Sequence, residues 1–237
     1  MTKPDSANPS HMKKLLPIAT TLVLIASLIL TPAALAFEVQ LASSPALTYY
    51  TTDSGCQHPF IDLDSYSWAI EEICTLYENG VVEGHSERNF MPGNNITRAE
   101  FLKIGLLHLG YVTYAVQSAD FTDIAPGDWH YQYITYARSK GFVSGYGDGS
   151  FHPNSEITRA EAVTMIMNIA GIYYYDSAST TPFYSDVSNS DWHADAVAMA
   201  TEHGIIEGYG DGSFRPDNAI TRAEAAAIAD RIWNYLY

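Results

Sequence analysis

One pentapeptide occurs three times in this chain, as Ile96-Thr-Arg-Ala-Glu100, Ile157-Thr-Arg-Ala-Glu161 and Ile220-Thr-Arg-Ala-Glu224. Its near-equal spacing is that of a tandem repeat, so the chain is built from small similar units rather than one irregular domain. Each copy spells the start of a helix. Thr97, Thr158 and Thr221 are N-cap residues, and the Glu three positions later completes a capping box that satisfies two orphaned backbone donors. Capping does not explain the Arg, because a cation in the first turn opposes the helix macrodipole by a few tenths to ~1 kcal/mol. An unfavourable charge kept at the same point of three units marks Arg98, Arg159 and Arg222 as residues with another task.

The same order of signals surrounds each pentapeptide. The units open at Phe60-Ile-Asp62, Phe121-Thr-Asp123 and Phe183-Tyr-Ser-Asp186, the third with one extra residue. Trp68, Trp129 and Trp192 follow, with apolar residues five and eight positions on (Ile73 and Leu76, Ile134 and Ala137, Val197 and Ala200), which is one face of a helix. Ser67, Asp128 and Asp191 precede the Trp as expected N-caps. Gly80, Gly141 and Gly204 stop these helices and an apolar pair follows each. A turn-rich loop comes next, Gly145-Tyr-Gly-Asp-Gly-Ser-Phe-His-Pro153 in the second unit and Gly208-Tyr-Gly-Asp-Gly-Ser-Phe-Arg-Pro216 in the third. The first unit departs from it, with His85 at the Tyr position and Arg88 in place of a Gly. The second helices carry Phe101, Ile104 and His108, then Ala162, Met165 and Ile169, then Ala225, Ile228 and Ile232 as buried faces, and Ala99, Ala160 and Ala223 allow close approach. Each unit of roughly 55 residues is expected to be too small to bury a stable core alone, and three side by side can share one.

These motifs resemble the surface-layer homology (SLH) family over about residues 59–237, closely in the second and third units and with a divergent loop in the first. The resemblance implies an all-α fold of three helix–loop–helix repeats, at 59–112, 119–172 and 181–237, forming a pseudo-threefold prism around a central three-helix bundle. It also implies non-covalent anchoring of an exported protein to the cell wall, through a secondary wall polysaccharide bearing pyruvate ketals or through modified peptidoglycan. Other surface-layer proteins are a further partner class, and a lattice or adaptor role is the alternative function.

Two roles are open for each Arg. A guanidinium beside free N–H groups at a helix N-terminus is an anion site that suits a ketal carboxylate; alternatively it pairs with an acid of the next repeat and clamps the units together. Tyr146, Tyr209, Asp148, Asp211, Gly145 and Gly208 would form the other half of each ligand groove, with His85 the counterpart in the first unit; the Tyr rings either stack on sugar or pack on the following Phe. The three Trp either start a core face or, at Trp129 and Trp192, offer aromatic contact to the ligand. Because its loop has diverged, the first unit is expected to give the altered groove, and Arg159 and Arg222 are preferred as ligands over assignments leaning on residues 85–89.

Composition sets the remaining limits. A formal charge of −15 argues against nucleic acid or an anionic membrane as partner. Lys13 and Lys14, an apolar run and Ala34-Leu35-Ala36 make residues 1–36 an expected export signal, or an uncleaved anchor, with 37–58 a leader of no clear periodicity. Secretion to the cell wall, without membrane insertion after cleavage, is the expected fate. Export permits a disulfide between the only two cysteines, Cys56 and Cys74, the alternative being free thiols. No EF-hand, zinc-hydrolase pattern, nucleophile elbow or phosphate loop is present, so no metal, cofactor or catalytic residue is assigned, and no enzyme is expected.

Overall fold

The computed structural model describes residues 48–116, 121–172 and 183–237. The expected signal at 1–36 lies outside the described residues, as do parts of the linkers at 112–119 and 172–182. The rest is helix-rich, with one small sheet. Strands β1 (Tyr50–Thr51) and β2 (Gln57–His58) pair antiparallel, so the leader ends in a hairpin rather than in unpatterned chain. A 3-10 segment (Asp64–Ala69) leads into α1 (Ile70–Glu78), and α2 (Arg98–His108) completes the first unit. The second unit supplies α3 (Tyr131–Ser139) and α4 (Arg159–Ile169), the third α5 (Ala194–Glu202) and α6 (Arg222–Leu236).

Local chemistry explains where these helices begin and end. All three capping boxes form, each Thr hydroxyl accepting from the backbone N–H of its Glu while the Glu carboxylate accepts from the N-cap N–H. The shorter helices stop where Gly80, Gly141 and Gly204 adopt φ of +68°, +73° and +68°, and the next N–H reaches back five residues, as Val81 does to Leu76 O. They do not start at the Trp. Asp128 and Asp191 instead accept from the N–H groups of Ala125 and Ser188 and close a preceding turn, while α3 and α5 begin after His130 and His193 without a side-chain cap. Trp68, Trp129 and Trp192 are therefore 49%, 51% and 67% exposed, not core. The apolar positions five and eight residues beyond them are buried.

The units interleave. Helices α2, α4 and α6 pack against one another in all three pairs, and α3 lies on α2, α5 on α4, and α1 on α6. Each short helix thus finds its principal helical neighbour in the preceding unit, with the third unit closing back on the first. A backbone ring marks the closure: Ile157 N–H donates to Ile96 O, Ile220 to Ile157 O and Ile96 to Ile220 O, at 3.0, 3.1 and 3.1 Å. Buried on nearly every side, α2 and α4 lack a strong apolar stripe, as expected for helices enclosed by a shared core.

The opening Asp of each unit holds its loop. Asp62, Asp123 and Asp186 each accept two successive N–H groups, from Phe90 and Met91, Phe151 and His152, and Phe214 and Arg215. The second residue of each pair has φ near +60°, a strained value for a side chain that these two bonds maintain. In the third unit Tyr184, two residues before Asp186, takes the buried place of Phe60 and Phe121 and packs on Phe214; Phe183 stands outside, 53% exposed. The register is therefore Tyr184-Ser-Asp186, and no residue is inserted.

Candidate functional site

The three Arg sit at the first helical position and reach across to the following unit. Arg98 Nε donates to Phe151 O, Arg159 Nε to Phe214 O and Arg222 Nε to Phe90 O, each at 3.0 Å. Arg159 Nη2 further donates to Glu207 O at 2.6 Å, and Arg222 Nη2 to Glu83 O at 3.0 Å. Arg98 and Arg159 also pair with the capping-box Glu of the next unit, Nη1 to Glu161 at 3.1 Å and to Glu224 at 3.5 Å. These two side chains are buried, not turned out to solvent.

The helix N-termini are not free anion sites. In α2 the N–H groups of Arg98 and Ala99 donate to Ser155 O and Pro153 O of the second unit's loop, and Thr97 takes the third. The same bonds run from α4 to Asn218 and Pro216, and from α6 to Asn94 and Pro92. A tandem repeat closed on itself uses its own loop carbonyls to satisfy these donors, so any anion must be held by side chains.

Two interfaces are sealed by an aromatic as well as an ion pair. The Arg98 guanidinium lies 4.8 Å from the Tyr146 ring and 4.9 Å from Phe151, and Arg159 lies 5.2 Å from Tyr209 and 4.9 Å from Phe214. Tyr146 and Tyr209 donate to Glu161 and Glu224. Burial first, then the bond to Glu161, pushes the Tyr146 hydroxyl up to about 12. Burial would raise the Glu161 carboxyl, but hydrogen bonds from Tyr146 and Thr158 and the Arg98 charge together hold it below its ordinary value.

The third interface lacks these parts. Arg222 covers the Phe90 ring at 4.5 Å, but the first unit has no loop Tyr, and among the described residues no carboxylate lies within 4.0 Å of this guanidinium. Burial pulls its pKa down, opposed by Glu100 and Asp62 at longer range. The divergent first-unit loop therefore faces Arg222, whereas Arg98 meets the intact second-unit loop. The cyclic order reverses the expectation that the altered loop would face the first copy.

Beside each Arg lies a groove assembled from all three units. One, of about 500 Å3, combines Arg98 with Gly145, Tyr146 and Glu161 and with Trp192. Another, about 310 Å3, joins Arg159 to Gly208, Tyr209 and Glu224 and to Trp68. The third, about 260 Å3, joins Arg222 to Glu83, Glu100 and Lys103 and to Trp129. Gly145 and Gly208 are glycines for packing, since an added Cβ would lie 2.2 Å from Phe121 and 2.1 Å from Tyr184. Asp148 and Asp211 do not line the grooves. Their carboxylates accept from Ser150 and Ser213 within their own turns, and Asp211 is held at about 2 by those bonds and by Arg215. His85 is exposed and likewise outside the lining.

Sequence reasoning missed Trp68, Lys103 and Arg231, which also line these grooves. A signal was available: five residues after each Arg the repeats read Lys103, Thr164 and Ala227, a position that varies inside a fixed frame. Cys56 and Cys74 form a disulfide with Cα atoms 6.1 Å apart, tying the hairpin to α1. Among the described residues no helix is long and apolar enough to cross a membrane.

A chain of three helix pairs, closed by reciprocal Arg and carbonyl contacts, is a repeat module that presents grooves rather than a deep cleft. It belongs to the S-layer homology domain family, whose pattern matches residues 59–102, 120–163 and 183–226. An amylopullulanase of Thermoanaerobacterium thermosulfurigenes is 35% identical over 167 residues, which cover 68% of this chain and 9% of that protein. An S-layer protein of Bacillus anthracis is 28% identical over 167 residues, covering 70% of this chain and 20% of that protein. The middle cell wall protein of Brevibacillus brevis is 37% identical over 98 residues, 40% of this chain and 9% of that protein. This chain spans a fifth or less of the length of these relatives. Its place is the cell surface.

Proposed function

We propose that the chain is a non-catalytic anchor that holds to the cell wall by binding an acidic, pyruvylated secondary wall polysaccharide in its inter-repeat grooves. The observation that carries this reading is Arg222, a guanidinium with no carboxylate within 4.0 Å among the described residues, sharing a groove with Lys103, Glu100 and the exposed Trp129. A ketal carboxylate would pair with the two cations while a sugar face rests on the indole. In the other two grooves Glu161 and Glu224 already neutralise the Arg, so Arg98 and Arg159 contribute clamping and only hydrogen bonds to a ligand. The three repeats, taken as 59–112, 119–172 and 181–237, act as one pseudo-threefold prism, a reading supported by the Ile96, Ile157 and Ile220 ring. Weak grooves on a repetitive polymer then gain avidity through effective concentration.

The test is co-sedimentation with purified wall. Arg222→Ala with Lys103→Ala should lower the bound fraction several-fold at unchanged helical content, and wall stripped of its acidic polymer should bind as poorly. Equal binding to stripped wall would replace the acidic polymer with peptidoglycan as the ligand. A lattice or adaptor role is the second reading, favoured by the relative named as an S-layer protein. Ordered self-assembly of the pure protein without polysaccharide would select it.

A further inference from the structure

A pocket of about 440 Å3 lies apart from the three grooves, between the β1–β2 hairpin and the start of the first unit. Its hairpin wall, Tyr50 to His58, precedes the first matched repeat at residue 59, and the Cys56–Cys74 disulfide holds that wall in place. Asp53, Asp64 and Glu71 line it and no Lys or Arg does. Glu71 accepts from Thr52 Oγ1 at 2.9 Å and Ser54 Oγ at 2.5 Å, and these bonds, Ser54 foremost, hold its carboxyl below the ordinary range against a small effect of burial. The pocket is anionic at neutral pH.

A second feature is the hairpin's buried imidazole, on which the Glu71 charge also acts. His58 is 4% exposed, lines the same pocket, and is stacked between Tyr50 and Phe60 at 5.8 and 5.9 Å. Its Nδ1 accepts the Phe60 N–H at 3.2 Å, so the neutral ring carries its proton on Nε2, for which no partner exists among the described residues. Burial, outweighing the Phe60 hydrogen bond and the Glu71 charge, keeps the imidazole below its ordinary pKa. A ring nitrogen bearing a proton donates a hydrogen bond and is closed to a metal ion.

We propose that this pocket binds an amino sugar through its free ammonium group. Carboxylates of Asp53 and Asp64 take the ammonium, His58 Nε2–H donates to a ring hydroxyl or ether oxygen, and the half-exposed Tyr50 ring covers an apolar sugar face. An acetylated amine loses the charge and a neutral hexose never has it, so the pocket separates de-acetylated from acetylated glycan. Its lining holds acids and no Lys or Arg, whereas in the Arg222 groove Glu83 and Glu100 stand beside two cations, so the two sites select different residues of a wall polymer.

Titration calorimetry of the full chain with glucosamine, N-acetylglucosamine and glucose tests it. Glucosamine should bind at least tenfold more tightly than the other two. Asp53→Asn and Asp64→Asn should each weaken it by about two- to fivefold, and Arg222→Ala should leave it unchanged, which separates this site from the anchoring grooves. His58→Phe preserves the stack and should remove the preference for glucosamine over a plain alkylamine such as ethylamine. Equal binding of glucose, no effect of either Asp variant, or displacement by calcium chloride at concentrations where sodium chloride has no effect would each overturn the proposal.

Discussion

Arg159→Ala separates clamping from ligand binding more sharply than any other single change. The side chain makes three contacts with the third unit: Nε to Phe214 O, Nη2 to Glu207 O and Nη1 to Glu224. Truncation strands Phe214 O in a buried place, at about 1–3 kcal/mol, and leaves Glu224 partly desolvated without its cation. It also removes a guanidinium held between the Tyr209 and Phe214 rings, worth about 0.5–1 kcal/mol. Glu207 O is on an exposed residue and regains water at little cost. The sum is about 2–4 kcal/mol, which for a chain of this size lowers Tm by about 5–15 °C. Thermal unfolding followed by circular dichroism at pH 7 gives the shift, and Glu224→Gln alone and in combination gives the coupling. Arg222→Ala breaks two backbone hydrogen bonds and no ion pair, so its Tm falls less while wall binding falls more. If Arg159→Ala moves Tm by under about 2 °C, or Arg222→Ala destabilises more than Arg159→Ala, the assignment of roles by carboxylate pairing is wrong.

Three further outcomes are expected. Reducing the Cys56–Cys74 bond, which closes a loop with a sequence separation of 18, should cost about 3 kcal/mol and admit protease before residue 58 first. Uniform loss of protection across all three units would mean the hairpin is not an independent element. The Tyr146 hydroxyl, held up to about 12, stays protonated in the folded state at a pH where an unfolded Tyr ionises. Its stabilising effect is complete below pH ~10 and disappears as pH rises through about 12; a tyrosinate absorbance titration should show a late component that Tyr146→Phe removes. Asp123→Ala deprives Phe151 and His152 N–H of their acceptor and leaves a positive φ at His152 unsupported. A loss of about 2–3 kcal/mol is expected by denaturant titration, and His152→Gly in that background should recover part of it.

Much of the secondary structure was legible because its causes are local. Thr97 and Glu100 lie within one turn of each other, so their capping box depends on nothing beyond the pentapeptide. Gly80 ends α1 for an equally local reason. The Trp were misplaced because period alone cannot tell the first turn of a helix from the turn before it; only the backbone bonds of Asp128 and Asp191 settle that. Phe183 was taken as the opening residue because an aromatic was expected there and two stand side by side. Burial of Tyr184 decides the register.

By itself, then, the sequence determined three repeats, six helices, the capping boxes of the second helix of each unit, the apolar faces they share and the anomaly of a cation in each first turn. Tertiary structure alone decided what those cations meet. Pairing across units follows the cyclic packing of α1 on α6, α3 on α2 and α5 on α4, and three similar sequences contain no mark of which neighbour closes on which. That order turns Arg98 and Arg159 into buried clamps and brings the divergent first-unit loop to Arg222. The physical reason is the same in each case. Helix starts are fixed by bonds spanning three residues, whereas the environment of Arg222 depends on Phe90 and Glu83, more than 130 residues away along the chain.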